Sequence, residues 1–134
     1  MKLVDLDAED RELLKKARTL LQKRHSDISG VSAGLRTARG SEFFGLCLDA
    51  KTSTVGMCAE YSAIGAMVTS GENLIKTIVA VTCRTKPRYS VLPPCGKCRD
   101  LIRAFGDPYV ILQVGKRLED SRKARLSDLV PFPW

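Results

Sequence analysis

Two short stretches, Cys58-Ala59-Glu60 and Pro93-Pro94-Cys95-Gly96-Lys97-Cys98, constrain this chain more than any other part of it. Together they offer three thiolates, enough for a tetrahedral Zn²⁺ whose fourth position stays open to water or substrate. To serve one ion the two stretches must converge, so the fold has to aim two distant segments at one point. Cys95 and Cys98 are spaced i, i+3, and a helix starting there places both sulfurs on one side. Pro93-Pro94 blocks a helix before that point and favours a start just after it. Cys58 precedes a mostly apolar run, with Ala59, Ala63, Ile64, Ala66 and Met67, that reads as a helix to about Ser70. Two helix N-termini then face the metal, and such ends lower thiol pKa values.

Glu60 lies two residues past Cys58, and side chains at that spacing do not face each other on a helix. Joint ligation is therefore disfavoured, and the carboxylate remains available for proton transfer. Ala59 is small enough to let a substrate approach its backbone N–H. Three thiolates leave Zn²⁺ with a formal charge of −1, which opposes acidification of a bound water. Arg99, beside Cys98, is the expected neighbouring cation, donating hydrogen bonds to the thiolates. The alternative is a closed structural site, with Cys83, Cys47 or His25 as fourth ligand. Structural sites typically use two close-spaced pairs, and this chain has one.

The remaining sequence supplies an α/β frame. Asp7 to about Arg24 reads as an amphipathic helix, capped by Asp7, with Leu13, Leu14, Ala17, Leu20 and Leu21 at helical spacing. Val31–Thr37 and Phe43–Asp49 read as a hairpin around Gly40. Lys51–Thr54 is a polar loop, and Gly71 ends the helix that starts at Cys58. Thr77–Thr82 is a near-continuous apolar strand suited to a sheet covered on both faces. Arg84–Ser90 reads as a polar loop, Cys95 to about Phe105 as a helix, and Tyr109–Val114 as a strand. Gly115-Lys116-Arg117 is a turn and Ser127-Asp128-Leu129 a short helical turn. Strands alternating with helices give a mixed sheet with helices on both faces.

With 134 residues the expectation is one domain over the whole chain. No apolar run approaches the roughly 18 residues of a membrane span, and the N-terminus has no apolar signal segment. Five cysteines, an odd number, argue against a disulfide framework and for metal or reactive thiols in a cytoplasmic protein. The net charge of +7 attracts polyanions, or equally a carboxylate or phosphate on a small substrate. Aromatics do not alternate with the basic residues as in a single-strand stacking groove, so nucleic acid is not the expected partner.

A three-cysteine zinc site with a glutamate that is not a ligand is the pattern of zinc nucleobase deaminases. Cys58-Ala59-Glu60 and Pro94-Cys95-Gly96-Lys97-Cys98-Arg99 resemble the two zinc motifs of the cytidine deaminase superfamily, and Val31-Ser32-Ala33-Gly34-Leu35 resembles its first strand. Within it the nearest likeness is to blasticidin-S deaminases, through Leu35-Arg36-Thr37, Ala63-Ile64-Gly65, Thr77–Val81 and Asp128–Pro131. The resemblance implies a three-layer α/β/α sandwich, a homotetramer with active sites at subunit interfaces, and hydrolytic deamination at C4 of a cytosine ring. In that scheme Glu60 moves a proton to ring N3 and helps ammonia leave. The family's ribose-holding Asn-x-Glu is Cys47-Leu48-Asp49 here, the aromatic-containing segment before the first strand is Asp27–Gly30, and Pro93 and Asp100 replace a Ser and a Gln. The sugar-recognition positions are thus altered around an intact centre. The resemblance also makes Trp134 a candidate wall of the pocket. Two alternatives stay open: a polynucleotide-editing deaminase, and a non-catalytic zinc protein of the same fold.

Overall fold

The computed structural model describes residues 1–50 and 55–133. The Lys51–Thr54 loop and Trp134 fall outside the described residues. In chain order the elements are β1 (Val4–Asp5), α1 (Ala8–Arg24), β2 (Val31–Thr37), β3 (Glu42–Leu46), α2 (Ala59–Thr69), β4 (Ile75–Thr85), β5 (Arg88–Leu92), α3 (Gly96–Arg103), β6 (Tyr109–Gln113), β7 (Ser121–Arg125) and α4 (Leu126–Leu129). The strands form one mixed sheet in the order β1-β7-β6-β4-β2-β3, with β5 added to β4.

β4 organises the sheet because its alternate side chains enter two different cores. Ile78 and Ala80 join Ala63, Ile64, Met67, Cys98 and Ile102 on the face covered by α2 and α3. Val79, Val81 and Cys83 join Leu13, Leu14, Ala17 and Leu21 of α1 on the other. Burial on both faces explains why the strand reads as an unbroken apolar run. One edge of β4 pairs with β2 along most of its length. The other is shared: Thr77 and Ile78 pair in parallel with Tyr109 and Val110 of β6, and Ala80 to Thr85 pair antiparallel with β5. The Gln113 side chain closes the seam, its Oε1 accepting from Val91 N–H at 2.9 Å. β5 thereby returns the chain to the middle of β4, sets Leu92 beside Ala80, and delivers Pro93 to Cys95 to the site.

α1 starts as its sequence dictates. The Asp7 carboxylate accepts from Asp10 N–H at 2.8 Å, and Asp7 N–H donates back to Asp10 at 3.0 Å. This capping box satisfies two donors that a helix start leaves without intrahelical partners. Gly71 follows α2 at φ +96°, a left-handed conformation that favours glycine.

Several boundaries differ from the sequence expectation. The second hairpin strand ends at Leu46 rather than Asp49; beyond it, Leu48 forms an isolated antiparallel bridge with Met57. The segment expected as a polar loop, Arg84–Ser90, is the end of β4, a tight turn and most of β5. β1 and β7 were not expected from the sequence pattern; they pair with each other, and β7 with β6.

Candidate metal and catalytic site

Both clusters sit at helix starts, as their sequence contexts require. Cys58 is the N-cap of α2 in extended backbone, and Cys95 is the N-cap of α3. Cys95 Sγ accepts from Cys98 N–H at 3.4 Å, the capping bond that Ser or Asp more often makes. Its sulfur lies 3.8 Å from that of Cys58, across thirty-seven positions of sequence. The three Sγ atoms of Cys58, Cys95 and Cys98 all lie within 4.8 Å of one another. A tetrahedral zinc with bonds of ~2.3 Å separates its sulfurs by about 3.8 Å, so the donor set matches that ion in both chemistry and spacing. Among the described residues no fourth His, Cys, Asp or Glu joins this cluster. Cys83 belongs to the core on the opposite face of the sheet. Cys47 Sγ accepts from Val31 N–H at 3.3 Å and donates to Asp49 at 3.7 Å.

The thiols differ in acidity. Burial pushes the Cys58 and Cys98 thiols up, reinforced at Cys98 by the charge of Glu60. Burial would also raise Cys95, but the Cys98 N–H and bonds from the neighbouring thiols outweigh it and hold Cys95 below its ordinary value. A divalent cation is what brings all three to thiolate together.

Glu60 enters from the first turn of α2 and is 6% exposed. Burial raises its pKa, against bonds to its own backbone N–H and to Cys98. It forms part of the floor of a pocket of about 480 Å³, within the usual size for small-molecule sites. The pocket wall also carries Cys58, Ala59 and Cys95, with Cys47 and Asp49 on the hairpin side and Val31, Ala80, Leu92 and Pro93 on the sheet side. Of the sheet-side residues, Pro93 was marked in the sequence as an altered family position, whereas Val31, Ala80 and Leu92 were not read as pocket residues. Leu92, directly before Pro93-Pro94, is the one whose position gave a signal.

Arg99 is close to the metal cluster but its bonds go elsewhere. Nε donates to Pro94 O at 2.8 Å and Nη1 to Leu129 O at 3.0 Å. Among the described residues it makes no hydrogen bond to a cysteine sulfur. The expectation of thiolate donation gives way to a tether: the guanidinium joins the α3 start to the end of α4.

A family model for the cytidine and deoxycytidylate deaminase zinc-binding region matches residues 7–114. The chain belongs to this deaminase family. Family membership and the three-sulfur cluster together make it a zinc-dependent hydrolase. It is similar to blasticidin-S deaminase of Bacillus cereus, 29% identical over 100% of this chain and 98% of that protein. It is also similar to cytidine deaminase of Mycoplasma genitalium, 32% identical over 69% and 70% of the two chains. Among solved structures, cytidine deaminase from Bacillus anthracis matches with a TM-score of 0.78 over 92% of this chain and 88% of that one, at 20% identity. That from Burkholderia pseudomallei matches at 0.75 over 92% and 98%, with 24% identity. The mixed sheet covered by helices on both sides is the fold these deaminases share. No helix among the described residues is long and apolar enough to cross a membrane.

Proposed function

We propose that this chain deaminates a free cytosine nucleoside, or an analogue of one, by hydrolysis at ring C4. The observation that carries this is a buried carboxylate, Glu60, at the floor of a nucleoside-sized pocket beside three convergent sulfurs. Cys58, Cys95 and Cys98 would hold the metal. Zn²⁺ bound there supplies the Lewis acidity that makes water a nucleophile near neutral pH.

Glu60 takes a proton from the attacking water and delivers it to ring N3 as the C4–O bond forms. It then takes the remaining proton from the new C4 hydroxyl and passes it to the amine, so that the C4–N bond breaks as C4=O forms and ammonia leaves the uracil form behind. Its burial supports this role, because a carboxyl with a raised pKa gives up its proton nearer neutral pH. Ala59 offers its backbone N–H to the base, and Asp49 with Cys47 forms the wall facing the sugar. By the resemblance, Trp134 is a further candidate for contact with the substrate.

Cytidine-type nucleosides and blasticidin S are both candidate substrates, since relatives bearing each name match the chain. The assembly proposed is a cytoplasmic homotetramer. Supporting it, Ile28, Leu48, Val55 and Met57 are exposed apolar residues on the segments framing the pocket mouth, and all five thiols are free, as in a reducing compartment.

The test is ammonia release from cytidine, deoxycytidine, cytosine, methylated cytosines and blasticidin S. At least one is expected to be turned over. Glu60→Gln should retain zinc and lose about 10²–10⁴-fold in kcat. Equal turnover by that zinc-loaded variant would remove Glu60 from the mechanism.

A further inference from the structure

The first turn of α3 carries charge of the wrong sign for a helix start. Anions favour helix N-termini and cations favour C-termini. α1 obeys this, with Glu9 and Asp10 at its start and Lys23 and Arg24 at its end. α3 has no acidic residue in its first turn and begins Gly96-Lys97-Cys98-Arg99. Arg99 has a structural reason to stand there, because it ties Pro94 to Leu129. Lys97 has no such tie. Among the described residues it makes no ion pair with a carboxylate. Its ammonium lies over the Tyr61 ring, 4.8 Å from the centroid. That contact positions the charge without neutralising it. Residues that break a local rule without a compensating contact are expected at functional sites.

Lys97 lines the same pocket as Glu60, Cys58 and Cys95. Among the described residues, the other charged side chains on that wall are Asp49 and Glu60, both carboxylates. Three thiolates around a divalent ion add further negative charge, so a pocket lacking Lys97 would repel an anion. Lys97 is an exposed residue of that wall with its ammonium over Tyr61, whereas Glu60 is 6% exposed and lies deeper. In a cytosine ring C4 and N1 are opposite each other. With C4 beside Glu60, the sugar on N1 points outward, towards the level of Lys97.

We propose that Lys97 is a specificity residue that receives a negatively charged group, carboxylate or phosphate, carried on the sugar of the substrate. This inference rests on the deaminase reading above and narrows it to anionic cytosine nucleosides. The probes are cytidine, cytidine 5′-monophosphate and cytidine 5′-carboxylate, tested on the zinc-loaded full chain and on Lys97→Met and Lys97→Arg. In the parent at least one anion should exceed cytidine in kcat/KM by tenfold to about a hundredfold, the size of one charge-assisted hydrogen bond. Which anion gains identifies the group. Lys97→Met should collapse that ratio towards one, Lys97→Arg should keep most of it, and added salt should compress it. Turnover of cytidine with no preference for either anion overturns this inference and leaves the deaminase reading standing. An equal fall on all three probes in Lys97→Met also overturns it, because the lysine would then act on the metal site's charge. Failure on every cytosine nucleoside, blasticidin S included, overturns the deaminase reading and this inference with it.

Discussion

The guanidinium of Arg99 spans two carbonyls from different parts of the chain, Pro94 just before α3 and Leu129 at the end of α4. A planar fork with several fixed donors does this, and a single ammonium does not. Arg99→Lys should therefore cost about 1–3 kcal/mol in urea unfolding, the value of bonds from a charged donor that are lost. It should also release zinc more readily to a chelator, because Pro94 precedes Cys95 and loosens with it. A variant that unfolds at the parent's urea midpoint and holds zinc as well would show that the tether is idle. The convergence of Cys58, Cys95 and Cys98 and the place of Glu60 beside them were legible in the sequence because thiol chemistry and local spacing are written in adjacent letters. Arg99 was readable as a cation near the site, but its partner Leu129 lies thirty residues away and has no local signature. Lys97 shared this obscurity: its charge was visible, and its place on the pocket wall became apparent only when α3 met α2.

At the scale of elements, α2 holds Cys58 and Glu60 in place by lying unusually close to β3. Ser62 Oγ donates to Leu46 O at 2.8 Å, and a Cβ added to Gly45 would stand 2.5 Å from both Ala63 N and Ser62 Cβ. Backbone cannot yield as a flexible side-chain tip does, so a side chain here must push the helix off the sheet. Gly45→Val should cost about 1–3 kcal/mol or more. It should also lower zinc affinity, since α2 moves relative to α3; Gly65→Ala, where an added Cβ meets nothing within 4 Å, is the control. Thermal unfolding and zinc competition read both effects, and a Gly45→Val protein with parental zinc affinity would uncouple helix seating from the metal. α1 was legible by its leucines and β4 by its apolar run, while α2, α3, β2 and β6 were placed by shorter runs and by the glycines and prolines that bound them. β5 was hidden by its exposed Arg88 and the proline before it, and β7 by burying Ser121 and Lys123 where a strand usually buries aliphatic residues. Lys123 tolerates burial because its ammonium donates to Asp10 of α1 at 2.6 Å, a pairing between distant parts of the chain that no local pattern reveals.

Across the whole molecule, two charged clusters fasten α1 to the sheet away from the active-site face. One is Lys123 with Asp10; the other joins Lys16 of α1, Arg36 of β2 and Glu42 of β3, with Glu9 of α1 on the far side of Arg36. Burial alone would raise the Glu42 carboxyl, but its bonds to Lys16 and Arg36 outweigh that and hold it below the ordinary 4.5. A carboxyl depressed on folding binds protons more readily when unfolded, so its contribution is present above the unfolded value and fades as pH falls through the folded one. Lys16 is half exposed, which limits the Coulombic gain, so the contribution near neutral pH should be about 1 kcal/mol. Glu42→Gln should lower stability by that amount at neutral pH, lose the deficit progressively below about pH 4.5, and match the parent in stronger acid. Urea denaturation of both proteins across this range provides the check, and a deficit that stays constant into acid would mean that shape rather than charge holds α1 at this edge. Because Glu42 lies on the opposite side of the sheet from α2 and α3, its loss should leave zinc retention unchanged at neutral pH, separating the stability of the scaffold from the integrity of the site it carries.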